Sequence, residues 1–94
     1  MSKPFRRSFK YRVQQQMEKE GWSVFPICDS DSPVDLVCFR GGKPLGLRVR
    51  AHGHIYQSER DNLRQFGDKA GMDISYVHEI EGREFSFVII RRRR

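Results

Sequence analysis

Phe5, Phe9, Val13 and Met17 recur every fourth position, with Arg6, Arg7, Lys10, Gln14, Lys19 and Glu20 between them. This is the spacing of one buried stripe on an amphipathic helix. Gly21 stands where such a helix is expected to stop, so the pattern predicts a first helix over residues 8–20. Three strands are predicted next, over 22–28, 34–40 and 45–51. They are separated by the turn-forming runs Asp29-Ser30-Asp31-Ser32-Pro33 and Gly41-Gly42-Lys43-Pro44. Pro26 has no N–H to give to a ladder, so the first strand belongs at a sheet edge or is bulged there. Ser58, with Asp61 three residues on, resembles a capping box in acidic form. Leu63, Phe66 and Ala70 then share a face and Gly71 supplies a stop, which predicts a second helix. Strands over 74–78 and 84–90, joined by a turn at Glu81-Gly82, complete the chain. The unbroken run Phe87-Val88-Ile89-Ile90 predicts a last strand covered on both faces. The order α-β-β-β-α-β-β, with a helix between sheet strands, points to an α/β fold: a small mixed sheet flanked by two helices.

At 94 residues and 11.1 kDa the chain holds one domain, with a core over about 8–90, an N-terminal arm over 1–7 and a tail over 91–94. There is no internal repeat. Hydrophobic residues make up 37% of the chain, a lean share, and the aromatic residues carry much of the core. Phe5, Phe9, Phe66, Phe85 and Phe87 fall on core periods and are expected to pack, while Trp22 is placed to seal the junction of helix and sheet. Cys28 and Cys38 each sit in an apolar run and are too few for a disulfide frame, so both are expected to be reduced core residues. No apolar run approaches the roughly 18 residues of a membrane span, and the first residues lack the apolar stretch of a secretory signal. A cytoplasmic protein without membrane contact is the expectation.

Charge sharpens the picture. The net charge is +6, but Lys3, Arg6, Arg7, Lys10 and Arg12 together with Arg91, Arg92, Arg93 and Arg94 carry +9, which leaves a body of −3. Positive charge concentrated in this way attracts polyphosphates through counterion release. Solubility plus a basic tail is the plainer reading. Alternation along the third strand puts Leu45, Leu47, Val49 and Ala51 on one face and Arg48 and Arg50 on the other. Asp35 opens the preceding, otherwise apolar strand. If the two strands pair through the Gly41-Gly42 hairpin, Asp35 lies near Arg48 or Arg50 in a partly buried ion pair; a solvated cluster of no functional consequence is the alternative.

Glu20-Gly21-Trp22-Ser23-Val24, the loop and strand Ser30-Asp31-Ser32-Pro33-Val34-Asp35-Leu36-Val37, the hairpin, Leu47-Arg48-Val49-Arg50 and the capped second helix together resemble the PD-(D/E)XK nuclease superfamily. Within it, the chain looks like the archaeal Holliday junction resolvases. The resemblance implies a restriction-endonuclease-like fold, a homodimer, and a site in which four residues hold one or two Mg²⁺ or Mn²⁺ ions and orient a water against a phosphodiester. The family's aspartate falls on Asp35 and matches. Its helix-one acid falls on Lys10, its third-strand acid on Arg48 and its lysine on Arg50. One carboxylate beside guanidinium groups is a poor Mg²⁺ site, and arginine cannot replace a lysine freely there.

A vestigial Asp35 ringed by Lys10, Arg48 and Arg50 is therefore expected to grip phosphate without cutting it, with no cofactor. Arg6, Arg7 and Arg12 would extend the track, and Arg91 to Arg94 would tether it. The expected partner is double-stranded or branched DNA. Ser30 and Ser32 are turn formers first, and phosphate contacts because the family's loop approaches the backbone at this place. His52 and His54 fall before helix two, where they can touch phosphate with a charge that depends on pH. With Cys28 or Asp35 they make only a weak metal motif. The competing readings are an active metal-dependent nuclease using shifted acids such as Glu18, Asp31 or Glu59, and an RNA-binding or protein-interaction module.

Overall fold

The computed structural model describes residues 8–51, 54–80 and 84–92. Its elements run α1 (Phe9–Lys19), β1 (Ser23–Pro26), β2 (Leu36–Arg40), β3 (Lys43–Arg50), α2 (Gln57–Ala70), β4 (Asp73–Ile80) and β5 (Glu84–Arg91), the order that the hydrophobic pattern predicts. All five strands join one sheet in the order β1-β2-β3-β4-β5. β3 and β4 are parallel and the other neighbouring pairs antiparallel, so the sheet is mixed and α2 is the crossover that parallel pairing requires. β1 forms one edge, which tolerates Pro26. Gly41 and Gly42 have φ of 59° and 76°, the two positive values that a two-residue type I′ hairpin needs and that residues with a Cβ adopt reluctantly.

The two helices bury opposite faces of the sheet. Ser8 caps α1, its hydroxyl oxygen accepting from the Tyr11 N–H at 3.2 Å. Phe9, Val13 and Met17 then press one stripe onto Leu36, Cys38, Leu47 and Val77, with Trp22, Leu45 and Val49 against the same cluster. On the other face Leu63 of α2 packs with Val34, Met72, Ile74, Tyr76 and Ile90. α2 lies very close to the strands. A Cβ on Gly67 would come within 2.7 Å of Ile74 Cγ1 and 3.0 Å of the Met72 carbonyl oxygen, and one on Gly46 within 2.9 Å of Ile74 Cδ1. Alanine at 67 would gain about 1 kcal/mol of helix propensity. Overpacking against backbone and a buried side chain costs about 1–3 kcal/mol, so the seam favours glycine.

Several expectations are corrected. α2 starts one residue before Ser58, at Gln57, and its N-cap Tyr56 makes no side-chain cap bond. The capping box is not formed: Ser58 lies inside the first turn, and Asp61 instead accepts from Gln57 at 2.8 Å and pairs with Arg64 at 3.5 Å. Cys28 is exposed while Cys38 is buried, because the short β1 ends before Cys28. β5 is the second edge, and it is not covered on both faces. Phe87 and Ile89 are 44% and 49% exposed, since α1 packs mainly over β1 and β3 and meets β5 where Phe9 packs edge-on against Phe85 at 5.3 Å. Arg91 is the last residue of β5 and not part of a tail: it donates to Asp68 at 2.6 Å and to the Met72 carbonyl at 2.8 Å. The whole N-terminal arm, Phe5 included, and the Glu81-Gly82 turn lie outside the described residues. Among the described residues no helix is long and apolar enough to cross a membrane.

Burial, with the Glu18 charge as a smaller cause, pushes the Cys38 thiol from 9.0 up to about 11. The protonated thiol is the form the core accepts, so its contribution to stability is complete below the unfolded value near 9 and is lost as pH rises toward about 11. The urea midpoint is expected to fall more steeply over that alkaline range in the wild type than in Cys38→Val. Equal slopes would show that the thiol carries no such linkage.

Candidate functional site

Every second residue of β3 turns toward α2. Gly46, with no side chain, lets Val34, Met72 and Ile74 close over the strand; Arg48 and Arg50 then emerge toward the first turn of the helix. Arg48 is mostly covered, with 23% of its side chain exposed, and Arg50 is 46% exposed. Half-buried guanidinium groups need acceptors, and two carboxylates supply them. Glu59, in the first turn of α2, accepts from Arg48 Nε at 3.1 Å and from Arg50 Nη2 at 3.0 Å, both on its Oε2. Asp35 accepts the Val49 N–H on Oδ2 at 2.7 Å, and its Oδ1 lies 3.6 Å from Arg48 Nη1. The result is a row of alternating charge, Asp35–Arg48–Glu59–Arg50.

The sequence reading surrounds a lone Asp35 with cations. The structure places Asp35 with Arg48 and adds Glu59, which balances the second arginine, so the four charges cancel within the row. Lys10 is not joined to it: its Nζ donates to the Ile27 carbonyl at 3.5 Å, and no hydrogen bond or ion pair among the described residues links it to Asp35, Arg48 or Arg50. Behind the arginines stand Tyr76 and His78 of β4, in register with Arg48 and Arg50 and stacked on each other at 5.7 Å. Burial raises the Tyr76 phenol above its usual value; the Arg50 charge opposes this, Glu59 adds to it, and Arg48 opposes it. Beside the row an open cleft of about 460 Å³ lies between the loop Ser30, Asp31, Ser32 and Pro33 and the helix residues Ser58, Glu59 and Asn62, with Arg48 in its wall.

The remaining candidates scatter. Ser30 faces this cleft. Ser32 shapes the loop, its hydroxyl donating to the Val34 carbonyl at 2.8 Å. Arg12 lies on α1, across the sheet, bound to Glu79 at 2.5 Å and set over the Phe9 ring. His54 is exposed and packs on Tyr56 at 4.8 Å. Arg92 is exposed. Arg6, Arg7, His52, Arg93 and Arg94 lie outside the described residues. Of the shifted acids, Glu59 and Asp31 line the cleft, whereas Glu18 faces a separate groove on α1 with Arg12, Gln15, Gln16 and Lys19.

A divalent ion fits this donor set poorly. Arg48 engages both Asp35 and Glu59, and among the described residues no three His, Cys, Asp or Glu side chains gather as ligands. What the row offers is one guanidinium group, Arg48, in the wall of an open cleft and a second, Arg50, two residues along the same strand face, a geometry that can take an oxyanion through several N–H donors.

No protein-family model matches the chain, and no curated protein matches it. Among solved structures the chain superposes on Hjc of Archaeoglobus fulgidus, a Holliday junction resolvase from an archaeal hyperthermophile. The TM-score is 0.72 over 87% of this chain and 70% of that one, at 16% sequence identity. The chain therefore shares the restriction-endonuclease-like fold of that resolvase. At this identity the likeness is one of fold.

Asp35 has a structural duty of its own. Asp35→Ala leaves the half-buried Val49 N–H without its acceptor and is expected to cost about 1–3 kcal/mol in urea unfolding. The ion pair with Arg48, too long at 3.6 Å for a hydrogen bond, adds little, about 0–1 kcal/mol. Asp35→Asn, which keeps an acceptor, should recover most of the loss; an equal loss in both variants would assign the effect to charge.

Proposed function

We propose that this protein binds the phosphate backbone of double-stranded or branched DNA on the α2 side of its sheet, and that it does not hydrolyse it. The observation that carries the reading is the pair Arg48 and Arg50, side by side where the nuclease fold would hold a metal-binding acid and a lysine. Guanidinium groups in that position favour a phosphate directly, and the carboxylates beside them are already engaged. The Ser30–Ser32 loop forms the opposite wall of the cleft, and the net charge of +6 supports long-range attraction. The likeness to a Holliday junction resolvase favours branched DNA among the ligands. Arg92, and the further arginines outside the described residues, would add contacts that carry no sequence information.

The protein is also proposed to pair into a homodimer, and β5 is the surface that favours it: an edge strand whose Phe87 and Ile89 are exposed beside its free edge. Unpaired apolar edges of this kind recruit further strands.

Two measurements test these proposals. In anisotropy titrations against a four-way junction, a linear duplex and RNA, Arg48→Ala/Arg50→Ala is expected to weaken DNA binding. It should also lower the salt slope by about 2, one for each phosphate contact removed. Unchanged affinity and slope, a preference for RNA, or cleavage with Mg²⁺ or Mn²⁺ that Asp35→Ala abolishes, would each overturn the binding reading. In sedimentation velocity the wild type should run as a dimer and Phe87→Lys as a monomer; a monomeric wild type removes the dimer.

A further inference from the structure

We infer that Glu59 acts as an internal stand-in for phosphate, so that its carboxylate competes with nucleic acid for Arg48 and Arg50 and sets how tightly the site binds. The inference rests on the reading that these arginines meet a DNA phosphate. A single oxygen, Oε2, accepts from Arg48 Nε at 3.1 Å and from Arg50 Nη2 at 3.0 Å. That is the position and donor pattern a phosphate oxygen would take.

The contact is built to be exchangeable. Glu59 keeps 24% of its side chain exposed and Arg50 46%, and the cleft beside them is open. The Arg50 pair, open to water on the arginine side, holds weakly against a competitor of higher charge, and the more covered Arg48 keeps Asp35 as a second partner. Both anions also gain from the N-terminal end of α2, so the exchange does not forfeit that favourable field. The Glu59 stem is long enough to swing its carboxylate into the cleft while the helix stays in place. Asp35 remains on Arg48 and on the Val49 N–H throughout, which keeps the strand and the first arginine positioned. A low-charge ligand would not displace Glu59, whereas a backbone presenting several phosphates would, and the carboxylate thereby biases the site toward polyphosphates.

The experiment compares Glu59→Gln with Asp61→Asn, each of which removes one negative charge from α2. Asp61 pairs with Arg64 and Gln57, away from the two arginines. On a four-way junction at about 50 mM salt, Glu59→Gln is expected to bind about 3- to 10-fold more tightly than the wild type, the release expected from two partly exposed ion pairs. Asp61→Asn should change affinity by less than about twofold. Adding Glu59→Gln to Arg48→Ala/Arg50→Ala should give no gain over the double variant, since the freed cations are then missing.

Equal effects of Glu59→Gln and Asp61→Asn would reduce the role of Glu59 to bulk charge and overturn the inference, even with the double arginine variant still defective. If the double arginine variant binds as well as the wild type, the binding reading itself has failed. Thermal unfolding checks each variant. Should Glu59→Gln not fold, Glu59→Asp replaces it: the shorter arm cannot bridge both arginines, and tightening of at least about twofold is expected, with none counting against the inference.

Discussion

The close approach of α2 to the sheet governs where everything else stands. Gly67 of the helix and Gly46 of β3 both face Ile74 and Met72, at separations that leave no room for a methyl group. With the helix this near, its first turn hangs over the exit of β3. A carboxylate on a two-carbon stem then reaches two arginines of the strand below. A helix held one side-chain layer farther out would leave Arg48 partly covered and without that acceptor, a costly state for a cation.

That geometry changes how the charge of the molecule is to be understood. Several cations of the sheet and helices are balanced locally: Arg12 by Glu79, Arg91 by Asp68, Arg48 and Arg50 by Glu59 and Asp35. Paired groups add little long-range field. Under the proposed DNA-binding reading, the surplus that would steer a distant polyanion resides in residues outside these pairs, and the paired arginines would act only at contact range. A site of this kind separates attraction from grip, the first belonging to unpaired cations and the second to guanidinium groups that must first be released.

Much of the architecture was legible. The four-residue apolar period placed α1, the Gly41-Gly42 pair placed the hairpin, and alternation along β3 put Arg48 and Arg50 on one face because side chains in a strand have no other choice. The failures have common causes. Phe87 and Ile89 were apolar enough to read as buried, but an 11-residue α1 cannot cover both edges of a five-stranded sheet; Cys28 lies past the end of the short β1. Arg91 looked like the start of a tail because a run of arginines carries no periodicity that marks where a strand ends. Glu59 had a visible signal, an acid in the first turn of a predicted helix, yet nothing local says which strand that turn overhangs.

Local stereochemistry, then, is what the amino-acid order determined on its own: helix stripes, strand alternation, the glycine turn, and the presence of an aspartate and two arginines on adjacent strands. The tertiary structure decided the partners. Whether a guanidinium meets solvent, a phosphate or a carboxylate depends on distances of about 3 Å between residues such as Arg48 and Glu59, 11 positions apart in the chain. Those distances arise from parallel pairing and helix packing, which no local pattern encodes, because electrostatic interaction depends on separation in space and the chain records only separation along itself.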